Sequence, residues 1–339
     1  MDAELLDRTS AALAEAVPDL GPDGLVPVGR GQSRRRSELY FLGLRSDELT
    51  CRWVLKVPHP GSRQHDLTPP RTAPEQLRAL ERLHAHLGAS GTGVSVPRPV
   101  ALLPDVGGYL MEFVRGPTLT DELRPRALLD DRTVMHGVVV AARLLRELHS
   151  LEATTEEVAD VAELEAREGD RARRALREAG LPVRPRWFRA SSGAPSRAGR
   201  KVVLHGDFAP ENIVLGTEGL CCLDPDLVDT DWAEHDVVRF VLMLADAPLF
   251  VLLTDLPAAQ RLRRKASLAF LVTYYAGVPP GPALRPLMMS ALATRWATRH
   301  VDVAARRPHL GRARQLLLRR HFEQLLDEVG SSFWPWGGR

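Results

Sequence analysis

Asp207 and Asn212 stand five positions apart in the run HGDFAPENIVL (205–215), and Asp224 closes a second apolar run, GLCCLDPD (219–226). Read singly, these residues make turns, because Gly, Asp, Pro and Asn all favour them. Read together, they suit phosphoryl transfer. That reaction asks a protein for a group that orients the attacking hydroxyl, oxygen ligands for one or two Mg²⁺ ions, and a cation on the phosphates. A carboxylate at the end of a hydrophobic strand is a hard oxygen ligand of the kind Mg²⁺ prefers.

Two other places supply parts for the same chemistry. Lys56 lies in WVLKV (53–57), a β-rich run that follows another across a short polar connection. A strand lysine is commonly a snorkelling surface residue; its ammonium is also the kind of cation that the reaction asks for. The stretch GRGQSRRRS (29–37) offers Gly29, Gly31 and Ser33 as a short phosphate loop, without a third glycine.

These residues need elements to position them. An acidic amphipathic helix opens the chain, and β-rich runs at 38–44 and 51–57 form a hairpin. Leu77, Leu80, Leu83 and Leu87 recur at helical spacing over 73–87, behind the capping-box pattern TAPE at 72–75. SVPRPVALL and GYLMEFV read as further strands, which gives a five-stranded sheet with one helix. After RGPTL (115–119) the pattern turns helical, with helices predicted over 134–151, 154–180 and most of 233–329. Short strands are expected near 202–204, 212–215 and 220–223, around the first motif, and a small-residue linker over 189–201. The segment 237–256, interrupted by Arg239, Asp246, Pro248 and Asp255, reads as a buried core helix and not a membrane span.

HGDFAPEN followed by CLDPD resembles the signature of the aminoglycoside phosphotransferase and choline kinase-like family. Further spaced elements agree: WVLKV, the hinge-like YLMEFVRGPTL, LLRELHSL, and HDVVRF at 235–240. The resemblance runs from roughly residue 28 to 245. It implies an α+β, bilobal, protein-kinase-like fold with a small β-rich N-terminal lobe and a larger, mainly helical C-terminal lobe. The lobes would span 1–115, for nucleotide, and 116–339, for catalysis and substrate.

Carried over by residue, the resemblance implies that Asp207 orients the acceptor hydroxyl. Asn212 and Asp224 would hold Mg²⁺, and Lys56 would contact the phosphates of ATP or GTP. The backbone of Glu112 and Val114 would meet adenine. His205 and Asp236 would support the catalytic loop. A helix glutamate should pair with Lys56: Glu75 is the choice, with Glu81 as alternative, though Glu75 is equally suited to capping its helix. Pro225 and Asp226 depart from the aromatic-acidic pair common in the family, and Asp226 is either a further ligand or a turn cap.

The expected activity is Mg²⁺-dependent transfer of a γ-phosphoryl group to a hydroxyl of an antibiotic, a sugar or an amino alcohol. The alternative is a non-catalytic nucleotide-binding regulator of the same fold. A protein kinase is disfavoured, since Gly206 replaces the arginine of its catalytic loop and neither DFG nor APE follows.

Net charge is only +2, which gives no general argument for nucleic acid. Three cysteines, Cys51, Cys221 and Cys222, make no disulfide framework, so a reducing, cytoplasmic compartment is expected, without a membrane partner. Arginine-rich runs at 260–265, 295–300 and 306–320, set against acids at 156–170, tilt the acceptor away from a polycation. Oligomeric state has no signature in the letters.

Overall fold

The computed structural model describes residues 3–17, 25–29, 31–33, 37–47, 50–59, 72–91, 93–152, 155–188, 197–216, 219–225, 227–278, 280–306 and 311–330. In chain order the first elements are α1 (Ala3–Ala16), β1 (Leu25–Pro27), β2 (Gln32–Ser33), β3 (Ser37–Leu44), β4 (Trp53–Pro58) and α2 (Ala73–Ser90). Then come β5 (Val94–Ser95), β6 (Pro99–Leu103), β7 (Gly108–Glu112), α3 (Leu119–Glu122), α4 (Arg132–Leu148), β8 (Thr155–Ala159) and α5 (Val161–Glu178). The rest are β9 (Arg197–Leu204), β10 (Ile213–Gly216), β11 (Gly219–Cys222), β12 (Val228–Trp232), α6 (Glu234–Ala245), α7 (Pro248–Leu252), α8 (Pro257–Tyr275), α9 (Leu284–Arg306) and α10 (Gly311–Gly330).

They form two compact units. The first holds Met1–Thr118, His205–Asp207 and Asn212–Val228; the second holds Leu119–Leu204, Phe208–Glu211 and Asp229–Arg339. Among the described residues, the first unit contains an antiparallel sheet in the order β1-β3-β4-β7-β6, with β2 on β3. Period-2 alternation sends Leu42, Leu44, Trp53, Leu55, Leu103 and Leu110 to one face, where they pack with Leu13 of α1. Removing a leucine side chain from water in this way contributes roughly 2 kcal/mol. A second sheet, β10-β11-β5, belongs to the same unit, because β11 runs parallel to β5 with Leu220 opposite Val94. The helix α2 ends at Gly91, whose φ of 63° is the left-handed conformation that glycine adopts without a Cβ penalty.

The second unit is mainly helical. Its core is aromatic: Phe208, Phe240 and Phe270 pack ring on ring, the latter two stacked at 4.0 Å, and Trp187, Trp296 and Phe322 form another buried group. Among the described residues no helix is long and apolar enough to cross a membrane.

The helix expected over 154–180 is two elements. Thr155–Ala159 is a strand on β9, and the helix begins at Val161 with Asp160 as its cap, accepting from the N–H groups of Ala162 (3.0 Å) and Glu163 (3.1 Å). The reason lies forty residues away along the chain. Strand β8 sets Glu156 opposite Arg200, and Glu157 pairs with Lys201 at 2.5 Å, so opposite charges across the strands favour pairing over local helix propensity. The span expected as one core helix over 237–256 is likewise broken, ending at Ala245 and resuming as α7. Buried Asp246 takes the break, bound by Arg295 at 2.6 Å and Arg299 at 2.9 Å.

Candidate active site

Strand β9 delivers its end, Leu204, to a turn in which Gly206 has a φ of 86°. His205 in that turn is fully buried. The N–H of Asp207 donates to His205 Nδ1 at 3.3 Å, which assigns the ring proton to Nε2, 3.1 Å from Cys222 Sγ. The thiol in turn donates to the carbonyl of Leu223 at 3.7 Å. His205 thus ties the backbone of Asp207 to strand β11, which is the geometry of a support and not of a base.

The spacing from Asp207 to Asn212 is closed by one bond: Asn212 Nδ2 donates to the carbonyl of Asp207 at 2.9 Å. That use of the amide nitrogen leaves Asn212 Oδ1 as the acceptor end of the amide. The β10–β11 hairpin, in register Ile213 with Cys222, continues one rung further, where Leu223 N–H donates to Asn212 O at 2.7 Å. Asp224 is the next residue, so the hairpin sets the carboxamide and the second carboxylate at adjacent rungs. Asp224 has a φ of 53°, a left-handed conformation that few non-glycine residues adopt and that clusters at functional sites. Its Oδ1 meets Lys56 Nζ at 2.9 Å, and Lys56 is buried in the sheet. One connected path therefore runs from Lys56 through Asp224 and Asn212 to Asp207, all within the first unit.

Among the described residues no group of three or more His, Cys, Asp or Glu side chains could hold a metal ion. Asn212 and Asp224 nevertheless fit Mg²⁺, which takes one or two protein oxygens and fills its shell with phosphates and water.

The remaining sequence candidates have other placements. Gly29 lies two residues beyond β1 with a φ of 77°; a Cβ on Gly31 would stand 3.1 Å from the ring of Tyr40, so that glycine permits a close approach. Ser33 is exposed in β2, opposite Glu38. Glu75 accepts from the N–H of Thr72 at 2.7 Å and from its hydroxyl at 2.8 Å, the capping half of the two readings. Glu112 closes β7 with its N–H on Arg98 O, and Val114 follows in the irregular segment after it. Asp236 lies buried in the second unit, 3.0 Å from His149 Nε2, while His149 Nδ1 meets the hydroxyl of Tyr274 at 2.6 Å. Asp226 lies outside the described residues.

Sequence reasoning gave no role to Cys222, the partner of His205; the only signal was its place on an apolar strand between motifs. Its neighbour Cys221 is different, with burial pushing the thiol up to about 12, so it stays protonated and inert. The charged runs also have partners: Arg263 and Arg264 with Glu328, Arg320 with Asp255, Arg285 with Glu165, Arg173 with Asp170. These pairs are bonded within the helical unit.

A model of the phosphotransferase enzyme family matches residues 25–271. The chain belongs to this family. Both motifs, Lys56 and the paired strands that join them fall inside the matched span. No curated protein sequence matches the phosphotransferase significantly. Among solved structures, it is similar to a glucosamine kinase in complex with glucosamine, ADP and inorganic phosphate, at 18% identity and TM-score 0.60, covering 95% of this chain and 86% of that one. A second glucosamine kinase structure, crystal form A, is 16% identical with TM-score 0.53, covering 95% and 81%. At such identities the likeness shows the fold, a kinase-like α+β architecture.

Proposed function

We propose that this phosphotransferase moves the γ-phosphoryl group of ATP or GTP to a hydroxyl of a small molecule, such as a sugar, an amino alcohol or an antibiotic. The path from Lys56 through Asp224 and Asn212 to Asp207 carries the reading. Asp207 accepts the proton of the acceptor hydroxyl as its oxygen bonds the γ-phosphorus, and the bond to the bridging oxygen breaks to release the nucleoside diphosphate. Lys56 neutralises the phosphates, and the backbone of Glu112 and Val114 meets the purine. Asn212 and Asp224 hold Mg²⁺, which supplies compensation for the phosphate charge.

The test is transfer of labelled phosphate from ATP, and separately from GTP, to a panel of hydroxylated antibiotics, sugars, amino alcohols and nucleosides with Mg²⁺. Transfer to an acceptor, reduced at least 10³-fold in Asp207→Asn with nucleotide binding retained, is the expected result. A variant that keeps most of its activity would remove Asp207 from the chemistry.

A further inference from the structure

Lys56 and Tyr109 are directly opposed across the β4–β7 pair, so both side chains leave the sheet on one face. The opposite face belongs to Leu55 and Leu110 in the core beneath α1. Both opposed residues are deeply buried, at 4% exposure for Lys56 and 3% for Tyr109. The Lys56 ammonium lies 5.9 Å from the centroid of the Tyr109 ring, inside the range where a ring quadrupole attracts a cation, and desolvation strengthens that attraction. The far edge of the ring is anchored too: its hydroxyl donates to Oε1 of buried Gln76 on α2, at 3.4 Å.

We propose that Tyr109 is a positioning residue for the phosphate-binding lysine. Its ring holds the ammonium of Lys56 on one face of β4, and its hydroxyl meets Gln76. A lysine stem has four rotatable bonds, and holding it in place before the nucleotide arrives removes an ordering cost from binding. The choice of partner matters. A ring attracts the cation without adding a formal negative charge, so it places Lys56 while opposing the phosphates less than another carboxylate would. The inference rests on the reading of Lys56 as the cation that meets phosphate.

Equilibrium binding of ATP with Mg²⁺, and of adenosine, separates placement of Lys56 from general damage. Tyr109→Leu and Tyr109→Met, two variants in case one fails to fold, should weaken ATP about three- to thirtyfold and leave adenosine unchanged, since adenosine has no phosphate for Lys56 to meet. Tyr109→Phe, which keeps the ring, should bind both ligands within about threefold of wild type. Equal losses for ATP and adenosine, or unchanged ATP affinity in both ring-deleted variants, would overturn the proposal. Lys56→Met tells the two readings apart. If it binds ATP as wild type does, the phosphate role of Lys56 fails and the inference falls with it. If it loses ATP while the ring-deleted variants do not, the inference alone fails.

Discussion

Buried His321 shows what a single side chain contributes away from the chemistry. Its Nε2 donates to the carbonyl of Ala245 at 3.0 Å, and its Nδ1 lies 3.2 Å from the hydroxyl of Thr254. Burial first, then the charge of Arg263, depress its pKa from 6.5 to about 4, against the smaller opposing effects of Asp246, the Ala245 carbonyl and Glu328. The unfolded chain therefore binds a proton near pH 6.5 that the folded chain refuses until about pH 4. Stability from this group is complete above pH 6.5 and is lost as pH falls through that window, by about 3 kcal/mol in all. His321→Gln keeps a donor for Ala245 and removes the titration. Its urea-unfolding free energy should fall less steeply than wild type between pH 6.5 and 4; parallel acid limbs would refute the assignment. No sequence pattern marks His321, since burial depends on which helices close over it. That Asp207, Asn212 and Asp224 come together was legible for the opposite reason: the hairpin that joins them is local in sequence. For Glu75 the letters leave two readings, because a capping box and an ion-pair partner ask for the same letter at the same place; the capping bonds are present.

Elements are held to the site by close approach as much as by hydrogen bonds. Gly116, within the hinge-like stretch 109–119, has a φ of 144°, and a Cβ there would stand 2.4 Å from the carbonyl oxygen of Leu215 on β10. Next to it Leu215 N–H donates to Pro117 O at 2.9 Å, and Thr118 bridges Val214. Gly116→Ala must move the hinge segment away from the hairpin that carries Asn212. It should cost more than about 1 kcal/mol of stability, because both the backbone angle and the contact are incompatible with a side chain. Gly88 is the control: it lies on the exposed side of α2 with nothing near its Cβ, so Gly88→Ala should stabilise by up to about 1 kcal/mol. Urea midpoints moving in opposite directions support this account, and a neutral Gly116→Ala would sink it. Helix α2 was predictable because its leucines repeat at 3.6 and its cap is local. Strand β8 was not, because what makes it a strand is the charge on β9, and a reader moving along the chain meets β9 too late.

At the scale of the molecule, the first unit is assembled from three separate stretches of chain, and Lys56 and Asp224, 168 residues apart, meet inside it. A change near residue 115 is visible in the letters, since strand alternation stops there. The return of 205–207 and 212–228 to the first unit is not visible, because it depends on the parallel pairing of β11 with the two-residue strand β5, which is too short for a periodic signal. This assembly makes a prediction about cooperativity. A ligand that binds only the folded site adds RT ln(1 + [L]/Kd), about 2.7 kcal/mol at a hundredfold excess over Kd, to every opening that must first release it. With saturating ATP and Mg²⁺, hydrogen exchange should therefore slow together in β4, in β7 and in 205–224, although these segments are far apart along the chain. In Asp224→Ala, which removes one partner of Lys56 and one proposed metal ligand, the protection of 205–224 should be lost first while the β4–β7 pair, held by its own ladder, keeps part of its slowing. Protection by nucleotide confined to residues before Thr118 would mean that the hairpin bearing Asn212 and Asp224 takes no part in binding, and the path from Lys56 to Asp207 would then have no functional meaning.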